Sequence, residues 1–180
     1  MSWGESLGYA TMEIYRVTGT RIYIAKIPKK DSAAELARRA RENRVSVIVI
    51  FSNENEVKSF GWSSPEEVTK TLEELTGSRI FWFKAESGKM LEPDKLLELL
   101  SSLDNEMGSE GSALFICKRA WGRSASAAAA YMVMKGVSPD EAIKMVWGPR
   151  PPKDVPSEHL RLPYEVYLRV RGRGAAEGKG

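Results

Sequence analysis

Cys117 is the only cysteine of the 180 residues, and it opens the run Cys117-Lys118-Arg119-Ala120-Trp121-Gly122-Arg123-Ser124. An apolar segment, Ala113-Leu114-Phe115-Ile116, precedes it, and a small-residue stretch from Ala125 to Met134 follows. Read as strand, tight loop and helix N-terminus, this order aims the thiol into a ring of backbone N–H groups. Unpaired N–H groups and the helix dipole both favour negative charge, so such a loop binds a tetrahedral oxyanion and favours the thiolate. Those are the requirements for attacking phosphorus with sulfur. Cys117 is the candidate nucleophile. Arg123 offers a planar fork of donors matched to two phosphate oxygens. A cation at a helix start opposes the dipole, which favours a binding role for Arg123 over a purely structural one. The backbone of Lys118, Arg119, Ala120, Trp121 and Gly122 would supply the remaining anion contacts. The plainer alternative is a buried, inert cysteine ending a core strand.

Other residues near this run have two readings each. Gly122 is the residue best able to permit the turn, whereas Ala120 is strained if its φ is positive. Ser124 reads as a helix N-cap. Lys118 and Arg119 either point to solvent or make the loop suited to a multiply charged substrate. Trp121 stacks on a substrate ring or merely packs. A departing oxygen needs a proton and a later water needs a base, and one carboxyl serves both steps. Glu86 is the candidate, following a strand and preceding Gly88 in a loop; Glu92 and Asp94 are alternatives, with Asp94 better placed to start a helix. The lone His159, far from the loop in sequence, reads as a surface histidine.

The elements that must position these groups alternate between strand and helix. Strand-like segments lie at Met12–Val17, Arg21–Ile27, Val45–Phe51, Arg79–Phe83 and Ala113–Ile116. Capping boxes begin at Ser32, Ser64 and Ser138, the last two followed by proline at the first helical position. Pro93 opens a further helix through Leu103. This alternation predicts a single α/β domain with a central, largely parallel sheet flanked by helices. The domain is expected over residues 1–171, with residues 172–180, rich in Gly, Ala and charge, as a mobile tail.

Composition narrows the function classes. Hydrophobic and charged fractions of 42% and 28% are ordinary for a soluble globular protein. A net charge of +3 is too mild to indicate nucleic acid, yet does not repel an anionic substrate. One cysteine excludes an internal disulfide framework and fits a reducing compartment such as the cytoplasm. With one histidine as well, a Cys/His zinc site is not expected. The start Met1-Ser2-Trp3-Gly4-Glu5 lacks the pattern of a secretory signal, and no apolar run reaches the length of a membrane span.

The run from Cys117 to Ser124 resembles the signature loop of the cysteine-dependent protein tyrosine phosphatases in their small, dual-specificity form. The resemblance extends from Arg21-Ile22-Tyr23-Ile24 through Val45–Phe51 and the loop. It continues in Lys135-Gly136-Val137-Ser138-Pro139-Asp140-Glu141-Ala142-Ile143 and Arg150-Pro151. It implies a dual-specificity-phosphatase-like fold and hydrolysis of a phosphate monoester through a phosphocysteine, without metal or cofactor. The implied substrates are phosphotyrosine proteins, with phosphoserine and phosphothreonine in addition; a phosphoinositide or another polyphosphate suits the basic loop. The Ser124 hydroxyl would stabilise the departing thiolate, and Ser157 would stand where related enzymes place a water-positioning side chain. Three positions depart from the pattern. Ile116 replaces a histidine, Ala120 replaces a glycine, and no aspartate follows Ile80-Phe81-Trp82-Phe83, where the family keeps its acid. They motivate a first rival, a phosphate-binding module without turnover. A second rival is a rhodanese-like sulfurtransferase, whose active loop also begins with cysteine.

Overall fold

The computed structural model describes residues 12–177, so the expectations for Met1–Glu5 and for residues 178–180 lie outside the described residues. Five strands form one sheet: β1 (Ile14–Arg16), β2 (Ile22–Lys26), β3 (Val45–Ser52), β4 (Arg79–Lys84) and β5 (Ser112–Cys117). Their spatial order is β1-β2-β5-β3-β4, with β1 antiparallel at one edge and every other pairing parallel. All five expected strands are present, each within a residue or two of its sequence boundaries. The central sheet with helices on both faces is the expected α/β architecture.

Alternation along the strands separates two cores, because successive side chains point to opposite faces. Val47, Val49, Phe51, Ala113, Phe115 and Cys117 face one core, while Ile48, Ile50, Leu114 and Ile116 face the other. The second core is covered by α1 (Ala33–Glu42), α2 (Glu54–Ser59) and α3 (Pro65–Thr76), through Leu36, Val57, Val68 and Leu72. The first is covered by α4 (Pro93–Ser101), α5 (Leu103–Met107), α6 (Arg123–Met134), α7 (Pro139–Trp147) and α8 (Ser157–Glu177). Every residue of α6 from Arg123 to Val133 is buried. A helix enclosed on all sides needs no polar face, and its alanines let neighbouring elements approach closely.

Local signals explain most of the helix starts. Ser64 Oγ accepts from the Glu67 N–H at 3.1 Å and Ser138 Oγ from the Glu141 N–H at 3.3 Å. Pro65, Pro93 and Pro139 each begin their helix, where a missing N–H leaves no bond unmade. The box expected at Ser32 does not form. A short 3-10 turn over Lys30–Ser32 leads into α1 instead, and Glu35 pairs with Arg38 and Arg39. Helix α8 continues to Glu177, so residues 172–177 of the expected tail carry helical backbone.

The register sets the level of the site. Lys26 lies opposite Cys117, and Ile50 opposite Ile116, so β2, β3 and β5 end together. Cys117 is thus the last residue of the strand between β2 and β3, where open α/β sheets place their ligands.

Candidate active site

Cys117 is buried, with 1% of its surface exposed, and unpaired. Its carbonyl accepts from the Ile27 N–H at 3.0 Å, and its sulfur accepts from the Ser124 N–H at 3.4 Å. The thiol therefore sits against the first turn of α6, where unsatisfied N–H groups carry partial positive charge.

Between strand and helix the loop closes tightly. The Trp121 N–H donates to the Arg119 carbonyl at 2.8 Å, enclosing Ala120 at φ +66°. This is the rare, strained form of the three-residue turn. Ala120 is one of two non-glycine residues with positive φ among the described residues. The Trp121 N–H is spent within the loop. The N–H groups of Lys118, Arg119, Ala120, Gly122 and Arg123 have no backbone acceptor among the described residues. The side chains of Lys118 and Arg119 are exposed, and Arg119 lines the cavity mouth. Trp121 keeps 38% of its surface exposed and meets Tyr15 of β1 at 5.5 Å between ring centroids. Its carbonyl accepts from Trp147 Nε1 at 2.8 Å, which ties α7 to the loop.

Arg123, 3% exposed, is held by a carboxylate that sequence spacing did not point to. Its Nη1 and Nη2 donate to the two oxygens of Glu56 at 2.6 and 2.7 Å, and Nη1 also donates to the Ala85 carbonyl at 3.1 Å. Glu56 is fixed in turn by Ser52 Oγ and the Asn53 N–H, at 3.1 and 3.2 Å. Burial alone would raise the Glu56 carboxyl above its ordinary range. The hydrogen bonds and charge of Arg123 outweigh that and hold it below. Of the five guanidinium N–H groups, these contacts leave Nε–H and the second hydrogen of Nη2, side by side on one edge. Two parallel N–H donors on one edge have the geometry of a bidentate oxyanion contact. The only local sequence signal for Glu56 is the capping box it makes with Asn53 at the start of α2.

Ser124 does not cap the helix; Gly122 occupies the N-cap position and Ser124 lies inside the first turn. The Ser124 hydroxyl is fully buried and has no hydrogen-bond partner among the described residues. The surface position expected for His159 is overturned. It is 2% exposed and packs on Gly122, where an added Cβ would lie 3.4 Å from Nε2. Its carbonyl accepts from Ser126 Oγ at 2.7 Å, and its Nδ1 is buried without a partner among the described residues. Burial, reinforced by the Arg123 charge, pushes the imidazole down to about 4. His159 is consequently neutral near pH 7. Ser157 is exposed at the start of α8 and does not line the cavity.

One cavity of about 400 Å³ joins these groups, lined by Cys117, Arg119, Trp121, Gly122, Arg123, His159, Ser87, Gly88 and the Pro152–Pro156 connection. Glu86 lies beside it rather than in its lining; its exposed carboxylate accepts from Asn53 Nδ2 at 2.8 Å. Ile116, in place of the signature histidine, faces the opposite core and is fully buried there. Among the described residues, no cluster of three or more His, Cys, Asp or Glu side chains is arranged to hold a metal ion.

Comparison with solved structures decides the architecture. A mutant form of Tk-PTP superposes with a TM-score of 0.71 at 19% identity, covering 88% of this chain and 97% of that one. The fold is that of the small cysteine-dependent phosphatases. PTPMT1, solved in complex with PI(5)P, matches with a TM-score of 0.68 at 18% identity, over 89% of this chain and 98% of its own. Kinase associated phosphatase gives 0.72 at 13% identity, over 90% and 97%. No protein-family model and no curated protein sequence matches the chain. The phosphatase-like fold thus persists at identities too low to carry a function with it.

Proposed function

We propose that this protein hydrolyses phosphate monoesters through a phosphocysteine on Cys117. The observation that carries the reading is the pairing of the Cys117 sulfur and the open Arg123 edge in one cavity at the N-terminus of α6. Cys117 attacks phosphorus, and Arg123 with the loop N–H groups holds the equatorial oxygens as charge develops on them. Preorganised donors of this kind are the largest single contribution in many enzymes. Ser124 supports the sulfur as it leaves in the second step. No metal enters this scheme.

Phosphotyrosine is the substrate that the rim favours, because Trp121 backed by Tyr15 makes an aromatic wall beside the thiol. Phosphoserine and phosphothreonine proteins are secondary substrates in this reading. A second reading takes a phosphoinositide or another polyphosphate, supported by the exposed Lys118 and Arg119 and by PTPMT1 having been solved with PI(5)P. No described helix is long and apolar enough to cross a membrane. An unpaired, reactive thiol is best kept reduced, so the cytoplasm is the proposed compartment.

The test is hydrolysis of p-nitrophenyl phosphate by wild type and Cys117→Ser, with a chelator present. Chelator-resistant turnover that disappears in the variant supports the cysteine mechanism. If wild type binds phosphopeptides but is as inert as the variant, the phosphate-binding module replaces it. Persulfide formation from thiosulfate on Cys117 would select the sulfurtransferase. Relative kcat/KM on phosphotyrosine, phosphoserine and phosphoinositide substrates then ranks the classes.

A further inference from the structure

The reaction proposed above needs a proton donor, and the candidate carboxylates differ in whether they are free to serve. Glu56 has both oxygens on Arg123. Glu92 has both on the N–H groups of Asp94 and Lys95, where it caps α4. Asp94 is paired with Arg169 at 3.1 Å. Glu86 accepts from Asn53 and stands outside the lining. Asp154 is the carboxylate that lines the cavity with Cys117 and Arg123. It makes no ion pair among the described residues, and it sits exposed in the turn between α7 and α8, closed by the Val155 N–H on the Pro152 carbonyl at 3.1 Å.

From this arrangement we infer that Asp154, rather than Glu86, is the general acid and base of the site. The inference rests on the phosphatase reading and deepens it. In the first step the Cys117 Sγ–P bond forms while the bond from phosphorus to the ester oxygen breaks. The departing oxygen takes its electron pair and the Asp154 proton. In the second step a water oxygen bonds to phosphorus, the Asp154 carboxylate takes a proton from that water, and the P–Sγ pair returns to sulfur. Asp154 ends as it began, and the products are an alcohol or phenol and inorganic phosphate.

Dependence on the leaving group separates this role from a structural one. A good leaving group departs without a proton, whereas a poor one waits for the acid. Asp154→Asn is expected to lose about 100-fold in kcat on phenyl phosphate, within the usual range for general acid catalysis. On p-nitrophenyl phosphate it should lose less than about tenfold, since that nitrophenolate needs little help. Glu86→Gln should show no such selectivity between the two esters. An equal loss on both esters in Asp154→Asn, or no loss, overturns the assignment, as does selective loss in Glu86→Gln. The Cys117 comparison keeps the two levels apart. If wild type and Cys117→Ser are equally inert on p-nitrophenyl phosphate, the phosphatase reading itself fails. If only the variant is inert, the leaving-group pattern judges Asp154 alone.

Discussion

The Glu56 carboxylate meets the Arg123 guanidinium end to end in the interior, at 2.6 and 2.7 Å, from positions 67 residues apart in sequence. Both side chains are at least nine-tenths buried, so neither charge has water to fall back on. Removing one partner of such a pair typically costs about 3–5 kcal/mol, because the other is left buried and uncompensated. Glu56→Ala should lower the unfolding free energy in urea by about that amount. It should also weaken vanadate binding, since Arg123 loses the contact that turns its open edge to the cavity. The exposed Arg38–Glu42 pair, at 2.5 Å, is the contrast. Glu42→Ala should leave the urea midpoint nearly unmoved, because water and salt screen that pair.

Ala120 holds φ at +66°, a conformation glycine adopts without penalty and alanine does not. Ala120→Gly should therefore raise stability by about 0.5–1 kcal/mol, despite the greater freedom glycine gains when unfolded. A rise in Tm together with unchanged or higher turnover would show that the strain is a cost of this sequence. A fall in Tm would mean that the buried methyl contributes more than the turn loses.

His159 gives stability a pH dependence with a definite sign. Its folded value of about 4 lies below the ordinary 6.5, so the unfolded chain takes up a proton that the folded protein refuses. The contribution is complete above pH 6.5 and is lost as pH falls toward 4. The depressed Glu56 carboxyl acts lower, its contribution being lost only as pH falls below the ordinary 4.5. Wild-type Tm should decline through the upper window, and His159→Gln should flatten that decline. An unchanged slope in the variant would remove His159 as its source.

The buried Ser124 hydroxyl makes no hydrogen bond among the described residues. Ser124→Ala should leave the unfolding free energy within about 1 kcal/mol of wild type, because no partner is orphaned by the change. If the hydroxyl turns to the sulfur as it leaves, the phosphocysteine accumulates in the variant. Rapid mixing with p-nitrophenyl phosphate would then show a burst of nitrophenol close to one per enzyme, followed by slow turnover.

Much of this was legible in the chain, for identifiable reasons. The β-branched run Val45–Ile50 and the apolar run before Cys117 carry their strand assignment in their own residues. Ser64 and Ser138, each followed by proline, likewise announce helices locally. Ser32 did not, because the chain tightens into a 3-10 turn before α1 and Glu35 finds arginines instead. The loop's spacing placed Cys117 and Arg123 together, since one short turn and one helix start connect them. Glu56 reaches Arg123, and Asp154 and His159 reach the cavity, only through the packing of α2, α6, α8 and the α7–α8 connection, and no spacing along the chain encodes those contacts. Burial was the other blind spot. A single histidine between Glu158 and Leu160 gives no sign that the ring will lie under a loop glycine.

The absence of any second cysteine in this sequence sets how Cys117 meets oxidants. Peroxide entering the cavity converts a reactive thiolate to a sulfenic acid, which is rescued by condensing with a thiol or a backbone nitrogen. Here no internal thiol is available to form a protective disulfide with Cys117. Recovery must draw on small thiols from solution or on a neighbouring amide, in competition with irreversible oxidation to the sulfinic acid. The same isolation that leaves Cys117 free of any disulfide partner in this sequence leaves its redox history in the hands of its surroundings.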